Sequence, residues 1–320
     1  MNDVLVIGNA AVDILVGPVD EWPAPGGTRM LDGATIASGG CGVNVAAALG
    51  RLGVGVDLVT RVGTDPLGKF LLDELEACDV DASGVVIDPN AATPLTVVTV
   101  RSDGERSFLH HRGSNDRIRR TDVLRVPLEG RRFVMISGAL VMESLDGEPT
   151  AEILAAARAA GAVTLLDQIF VDAMPTEEWR RRLDPALPHV DVLCPSLAEG
   201  RRLSGADDPV DVVRALVDKG ARSVVLKVGE RGALVKHADG REAHVEGFPA
   251  RPVDTTGAGD CFCAGLIAAL RRGAPLEEAA RVANLVARHA VLTTGATDGI
   301  PHLDEILAAL PPSTDDDDGA

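Results

Sequence analysis

Short apolar runs alternate along the chain with longer stretches rich in alanine and leucine. The short runs are VLVIG, VDLVTRVG, FVMISG, VTLLD, VDVLC and SVVLKVG, at residues 4–8, 56–63, 133–138, 163–167, 190–194 and 223–229. Because these runs are apolar on both faces, they predict strands of a parallel sheet that is covered by helices on each side.

The longer stretches have helical periodicity. They occupy residues 43–53, 150–161 and 209–220, and each ends in the glycine expected just past a helix C-terminus. Strand and helix in alternation predict a doubly wound αβα sandwich with right-handed crossovers. Residues 257–310 are expected to be mostly helical.

Two segments interrupt this alternation. Residues 14–38 have no helical pattern and contain three prolines, and residues 93–111 resemble a hairpin that turns at SDGE. We expect both to form extended strands that project from the main sheet as a small β-sheet lid. The predicted domain spans residues 1–311, and the aspartate-rich residues 312–320 are expected to be a disordered acidic tail.

Composition and charge limit the classes of partner. The formal net charge is −17, and the chain has no Tyr, two Trp and six Phe. A polyanion would be repelled, and few rings are present on which bases could stack, so we expect no nucleic-acid partner. No apolar run approaches the ~18 residues that a membrane span needs, so we expect no membrane partner either.

Cysteine usage and the first residues indicate the compartment. The five cysteines form no CxxC pair and are odd in number, and the chain enters a strand without a basic-then-apolar leader. Both features favour a reduced, cytoplasmic protein. The chain has no GxxxxGK[ST] loop and no GxGxxG after its first strand, which argues against a P-loop enzyme and a dinucleotide-binding dehydrogenase.

The stretch VDTTGAGDCFCAG, residues 253–265, places small residues and a carboxylate at the start of a predicted helix. Gly257, Ala258 and Gly259 would leave backbone N–H groups uncovered at the positive end of the helix dipole, which predicts an anion site. Asp260 would face that anion, an unfavourable position unless it takes a proton from an attacking hydroxyl. An acidic helix cap is the alternative, but three small residues in four positions serve no capping purpose.

Two motifs together resemble one family. DTTGAGD is similar to the C-terminal signature of the ribokinase-like, or PfkB, carbohydrate kinases, and SGGCGVNVAAALGRLG, at 38–53, is similar to their glycine pair followed by Asn-x-Ala and a helix. Their order and wide separation make the pair far more specific than either motif alone. The resemblance runs from Val4 to about Leu310. It implies a ribokinase-like fold and ATP-dependent phosphorylation of a sugar or sugar-like alcohol.

The resemblance implies roles for individual residues. Asp260 matches the catalytic base, and residues 257–259 match the anion hole for the transferred phosphoryl group. Asp13, Gly40 and Asn44 match positions that contact the sugar. Taken alone, Asp13 would equally well end a strand and Asn44 would cap a helix.

Three further residues lie where an acceptor would bind. Arg112 ends the predicted hairpin, which in this fold would hang over the sugar, and its charge would meet a polar or acidic group. Glu143 follows a strand end, where ligands of open α/β sheets gather. Cys41 lies inside the glycine loop, where it either touches substrate or fills a space between backbones.

Two further segments resemble parts of the family that hold metal ions. CPSLAEG, at 194–200, resembles the family's Asn-x-x-Glu segment, which orders Mg²⁺ and phosphates mostly through water. Glu199 matches its glutamate, whereas Ser196 stands where asparagine is more usual. Asp254 and Thr256 match a loop that holds a monovalent cation, expected to be K⁺, in many members, with residues 293–297 opposite.

The nucleotide side is marked by weaker signals. Lys227, Gly229 and Gly232, in KVGERGALV, match a strand–turn–strand that lines the ATP cleft, although a plain hairpin explains them equally well. Asn284 lies on a predicted helix facing the expected place of the adenine, or is only a polar helix residue.

Several functions remain open. The acceptor would be ribose, fructose, a 2-keto-3-deoxy sugar acid, a nucleoside or a sugar phosphate, the last opposed by the scarcity of basic residues beyond Arg29 and Arg112. A non-catalytic sugar sensor is a different class, opposed by the intact Asp260 and glycine loop. An exposed lid sheet has unpaired edges, and together with the resemblance this predicts a homodimer through the lids.

Overall fold

The computed structural model describes residues 2–103 and 105–311. The predicted acidic tail, 312–320, lies outside the described residues. Within them the strands are β1 (Val4–Gly8), β2 (Ala11–Gly17), β3 (Gly33–Gly39), β4 (Val56–Val59), β5 (Arg61–Gly63), β6 (Val80–Asp81), β7 (Val86–Asp88), β8 (Leu95–Val100), β9 (Arg106–His111), β10 (Phe133–Ala139), β11 (Val163–Gln168), β12 (Val192–Leu193), β13 (Ser223–Lys227), β14 (Ala233–His237) and β15 (Glu242–Val245). The α-helices are α1 (Cys41–Arg51), α2 (Pro66–Ala77), α3 (Arg120–Val123), α4 (Glu148–Ala159), α5 (Thr176–Leu183), α6 (Leu197–Ser204), α7 (Pro209–Asp218), α8 (Ala258–Arg271), α9 (Leu276–Ala290) and α10 (Leu303–Ala309).

Nine strands form the main sheet, in the order β15-β14-β13-β12-β11-β10-β1-β4-β6. The pairs from β13 to β6 are parallel, and β14 and β15 continue the sheet antiparallel. From β1 the chain winds outward to β4 and β6, and then to the other side through β10, β11, β12 and β13. The doubly wound α/β fold predicted from the sequence is confirmed.

The core lies on both faces of this sheet. Val4 and Val6 of β1 pack with α1, α2, α8, α9 and α10 on one face, and Leu5 and Ile7 pack with α3 to α7 on the other. Successive side chains of a strand point to opposite faces, so a strand covered on both sides must be apolar at every position. This burial explains the continuous apolar runs in the sequence.

One predicted strand is in fact two. The run at 56–63 divides into β4, in the main sheet, and β5, which pairs with β7 in a separate two-stranded sheet. Arg61 of β5 binds Asp88 of β7 at 2.8 Å and Asp122 of α3 at 2.7 Å, and both of these carboxylates are buried. The run VDVLC is also shorter than predicted, because only Val192–Leu193 pair.

A second sheet of four strands, in the order β3-β2-β8-β9, stands apart from the main sheet; we call it the lid sheet. It is built from the two segments predicted as extended, and β8 and β9 form the predicted hairpin. β2 pairs antiparallel with β3 and parallel with β8. None of the helices within 2–103 and 105–311 has the length and apolar character to cross a bilayer.

Candidate active site

The site lies where the carboxyl ends of β1, β10, β11 and β13 approach the N-termini of α1 and α8. A close contact of β1 with α1 makes this possible, because a Cβ added to Gly8 would stand 2.6 Å from Gly42 Cα. Ligands of open α/β sheets bind outside the carboxyl ends of their strands. The predicted catalytic and sugar-contacting motifs therefore come together at the expected edge of the main sheet.

Asp260, the third residue of α8, is buried at the centre of this edge. Asn44 of α1 donates from Nδ2 to Asp260 Oδ2 over 2.8 Å, and joins two residues 216 positions apart in the chain. Burial raises the pKa of Asp260, and the Asn44 hydrogen bond opposes that rise. A carboxylate with a raised pKa is a stronger base, and Asn44 holds its orientation.

Glycine is required at the start of α8. Gly257 has a φ of 71°, in the left-handed region, and a Cβ there would stand 2.7 Å from Ala296 Cβ. No side chain caps this 14-residue helix: Ala258 N donates to Thr255 O over 3.3 Å, whereas the N–H groups that follow in the first turn lack the partner that a cap would give them. Gly257, Ala258 and Gly259 therefore form, beside Asp260, the kind of N-terminus that binds anions.

The predicted sugar contacts connect the lid sheet to Asp260. Asp13, on β2, lies against the turn into α1, since a Cβ added to Gly39 would stand 2.3 Å from its Oδ2. Burial raises the pKa of Asp13, and a hydrogen bond with Thr96 opposes the rise. Gly40 follows with a φ of 86° and precedes α1, on which Asn44 lies.

Arg112 and Glu143 also come together, although they lie in different parts of the chain. Arg112 Nη1 is 3.8 Å from Glu143 Oε2 and 3.6 Å from Asp116 Oδ1. The positive charge of Arg112 is thus shared between two carboxylates. Neither partner of this arginine was predicted as such from the sequence.

Lys227, at the end of β13, lies closer to the anion site than the sequence indicated. Its Nζ binds Asp167 Oδ2 over 2.7 Å, and their side chains are only 13% and 4% exposed. A Cβ added to Gly259 would stand 3.2 Å from this ammonium. Burial disfavours the charge, but Asp167 and neighbouring groups hold the pKa of Lys227 well above its ordinary value.

Asp167 is a site residue that the sequence reasoning missed. It lies next to the last residue of β11, and Cys263 Sγ donates to its Oδ2 over 3.5 Å. Its position at the carboxyl end of a predicted strand was the available signal. Asp167 and Lys227 give this edge of the sheet a buried ion pair.

Glu199 is held at the start of α6 by a capping box. Ser196 N donates to Glu199 Oε2 over 2.7 Å, and Glu199 N donates to Ser196 Oγ over 3.4 Å. Burial and the nearby Asp167 raise the pKa of Glu199. Ser196 thus has a clear role in starting the helix, although it lacks the amide of the family's asparagine.

The residues here fit a hydrated Mg²⁺. Glu199 supplies a carboxylate, and the Gln168 amide oxygen is buried without a hydrogen-bond partner in the described part of the chain. Mg²⁺ prefers oxygen ligands and keeps several waters. Within the described residues no group of three or more His, Cys, Asp or Glu side chains could hold a metal directly, so contact through water fits this edge better.

The predicted cation loop lies against its expected counterpart. Asp254 accepts from Thr256 N over 2.8 Å and from Gly295 N over 3.3 Å, so residues 293–297 adjoin this loop. The carboxylate of Asp254 is buried, and it joins this loop to residues 293–297 through backbone N–H groups. Binding of K⁺ there stays a prediction.

Packing accounts for two of the predicted nucleotide residues. Asn284 donates from Nδ2 to the carbonyls of Val245 and Glu246, over 3.2 and 3.0 Å. A Cβ added to Gly232 would stand 2.1 Å from Val245 O. Gly229, with a φ of 67°, instead has open space around its Cβ position. Contact of these residues with ATP stays a prediction.

Comparison with known sequences finds one family. A sequence profile of the family described as pfkB family carbohydrate kinase matches residues 1–303. Fructokinase-1 of Zea mays is 32% identical over 309 residues, which cover 91% of this chain and 94% of that protein. Ribokinase of Staphylococcus aureus is 26% identical over 315 residues, covering 95% and 98%.

Comparison with solved structures agrees with the family match. The structure of Arabidopsis thaliana ribokinase complexed with ribose and ATP superposes with a TM-score of 0.83 at 26% identity. The superposition covers 98% of this chain and 99% of that one. The likeness therefore extends over both sheets and the edge described above.

Proposed function

Since the chain belongs to the pfkB family of carbohydrate kinases, we propose that its ATP-dependent phosphorylation of a sugar uses Asp260 as the general base. The observation that carries this proposal is the juxtaposition of a buried, Asn44-bound carboxylate with the uncapped start of α8. A carboxyl group buried beside an anion site is unfavourably placed unless it serves to remove a proton.

The reaction follows from these groups. Asp260 takes the proton of the acceptor hydroxyl as its oxygen attacks the γ-phosphorus of ATP. The bond between that phosphorus and the β,γ-bridging oxygen breaks, and ADP leaves with the bond's electron pair. The products are a sugar phosphate and ADP, and the proton resides on Asp260 until it is lost to solvent.

The anion hole is assigned to the backbone N–H groups of 257–259, which would receive the charge on the transferred group. Lys227 supports this assignment, because its positively charged ammonium lies next to Gly259, where it would also attract the transferred phosphoryl group. When bound, Mg²⁺ would neutralise the phosphate oxygens, with Glu199 as its water-mediated contact. Lys227, Gly229, Gly232 and Asn284 would line the ATP cleft.

We propose a neutral sugar as the acceptor, held by Asp13, Gly40 and Asn44. Arg112, the cation expected to recognise an acidic group, is already shared between Asp116 and Glu143. A second anion at this place would compete with two carboxylates, which disfavours a sugar acid or a sugar phosphate. The similarity to fructokinases at 32% identity makes fructose the first acceptor to test.

We further propose a homodimer formed through the lid sheet and the loop that joins β2 to β3. Ten large apolar side chains are exposed in the described residues, and six of them lie here: Trp22, Met30, Leu31, Ile36, Phe108 and Leu109. This concentration of exposed apolar side chains supports an interface in this part of the molecule. Pairing two lids would also cover the open strand edges.

Two smaller proposals complete the function. The loop at Asp254 and Thr256 is proposed to hold K⁺, which would stabilise the backbone that shapes the anion hole. Cysteines 41, 78, 194, 261 and 263 are all free thiols, which supports a reducing, cytoplasmic setting.

The experiment is ADP release from Mg-ATP across pentoses, hexoses, sugar acids, sugar phosphates and nucleosides, with Asp260→Asn beside the wild type. We expect one neutral sugar to be turned over, and Asp260→Asn to lose about 10²-fold or more in kcat while sugar binding by calorimetry persists. Replacing K⁺ by tetramethylammonium should slow the wild type. Near-normal turnover by the Asp260→Asn variant would show that Asp260 is not the general base. Binding of a sugar without ADP release from any acceptor in the panel would favour the non-catalytic sugar sensor.

A further inference from the structure

Gln168, the last residue of β11, lies beside Glu199 and is 3% exposed. Its Nε2 donates to Glu199 Oε2 over 3.2 Å, whereas its Oε1 is buried without a hydrogen-bond partner in the described part of the chain. Buried polar atoms are almost always partnered in folded proteins. An unpartnered acceptor at this edge indicates a donor that the chain itself does not supply.

Position 196 provides an independent observation. The resemblance places an asparagine there, but Ser196 occupies it, and its hydroxyl accepts from Glu199 N to start α6. Serine carries one hydroxyl and no amide, so it lacks the separate donor and acceptor groups with which an asparagine could both cap the helix and bind a second group. The amide expected at 196 is missing, while the amide of Gln168 reaches the same glutamate from a different strand.

We propose that Gln168 replaces the asparagine of the family's motif as the residue that positions Glu199 toward the water shell of the nucleotide's Mg²⁺. Gln168 Nε2 and Ser196 N both hold Glu199 Oε2, which fixes the orientation of the carboxylate. With the metal bound, Gln168 Oε1 would accept a hydrogen bond from a water of that shell. Gln168 is thus a positioning residue, and this inference rests on the proposed kinase function.

Asp167 does not fill this position. Its Oδ2 is engaged by Lys227 over 2.7 Å and by Cys263 over 3.5 Å. Its Oδ1 accepts from the backbone N–H of Gln168 over 3.1 Å. Asp167 therefore fixes the end of β11, and the side chain that remains available is that of Gln168.

The test measures Mn²⁺ binding by electron paramagnetic resonance to the full chain with ADP and without sugar. We compare the wild type, Gln168→Leu, and Gln168→Leu combined with Ser196→Asn. Gln168→Leu should weaken Mn²⁺ binding about 10–100-fold and raise the Mg²⁺ concentration for half-maximal turnover in parallel. Ser196→Asn should restore most of both, because it returns an amide to the motif.

Thr164→Val is the matched control, since Thr164 is a buried polar residue near the other end of β11 whose hydroxyl donates to His189 O. It should leave Mn²⁺ binding unchanged. If Gln168→Leu does not fold, Gln168→Met, which keeps the unbranched chain, takes its place.

Wild-type Mn²⁺ affinity in the Gln168 variant would overturn the proposal, as would a double variant as weak as the single one or an equal loss in the control. The binding measurement needs no acceptor, so it stays readable if no sugar in the panel is phosphorylated. Failure of this inference and failure of the proposed function are therefore distinguishable.

Discussion

The catalytic edge of the main sheet and the lid sheet meet at the acceptor site, but their side chains lie in different surroundings. Asp167, Glu199 and Asp260 are 3%, 8% and 7% exposed, and each has named hydrogen-bond or ion-pair partners. On the lid, Ile36 and Phe108 are 54% and 62% exposed. In the proposed function, the buried edge would fix the reacting groups, whereas the lid would offer an adaptable surface to the acceptor and to a second subunit.

If the lid sheet binds the acceptor and the catalytic edge carries out the transfer, a substitution on the lid sheet should have its largest effect on acceptor binding. Asp13→Asn should raise the KM for the sugar about 10–100-fold, the loss expected for a hydrogen bond to a charged group. Turnover at saturating sugar should fall much less than in Asp260→Asn. Initial rates over a range of sugar concentrations give both quantities.

Asp20→Asn is the control for that variant. Asp20 lies in the loop that joins β2 to β3, and its carboxylate accepts a hydrogen bond from Ser102 N over 2.9 Å instead of facing the proposed sugar contact Asp13. Its KM should stay near that of the wild type. A loss in Asp13→Asn that appears in kcat with unchanged KM would contradict the division between the lid and the catalytic edge.

A smaller effect on turnover is expected at the outer face of the lid sheet. Leu109→Glu places a charge on the face of the lid sheet opposite to that of Asp13, and should halve the mass found by light scattering at micromolar protein. KM should change only a few-fold if each lid serves its own subunit. Ile87→Glu, at an exposed position outside the lid sheet, should keep the wild-type mass. A monomeric wild type would reject the proposed dimer.

No effect on turnover is expected at Asp146, a buried carboxylate near the same edge that accepts from Leu140 N over 2.9 Å. Burial raises its pKa to about 6, against the opposing effect of Leu140 N and Arg182. The folded state therefore binds this proton more tightly than the unfolded state, and the group lowers stability as pH rises from about 4 toward 7.

The wild type should lose about 1–2 kcal/mol in its free energy of unfolding between pH 5 and pH 7.5 through Asp146, and Asp146→Asn should remove that loss. Urea unfolding of both proteins at the two pH values measures it, with the exposed Asp218→Asn as the control. An equal change in stability with pH for wild type and Asp146→Asn would show that Asp146 is not the group responsible.

The difference between the two sheets also explains which features the sequence predicts. Strand β1 and the motif at 257–260 are local, because continuous apolar residues and a run of small residues are recognisable wherever they lie. Asp260 and Asn44 were identified through motifs, and the structure adds the hydrogen bond between them. The α/β fold and the lid segments followed from the same local patterns.

The features that were missed depend on contacts between distant segments. Asp167 and Gln168 look like any polar residues at a strand end, and their roles arise from Lys227 and Glu199, 60 and 31 residues away. Arg61, within the run at 56–63, likewise pairs with Asp122, 61 residues away. No pattern within one segment reveals such pairs.

The hydrogen bond between Asn44 and Asp260 has a consequence for the time at which the protein becomes active during its synthesis. Its two residues are 216 positions apart, which separates their synthesis by roughly 10–40 s at ordinary translation rates. By the end of that interval the chain holds both glycines of the first motif and all four strands of the lid sheet. Asp260, the proposed catalytic base, is therefore synthesised after all of these parts, and the proposed phosphoryl transfer must wait for it.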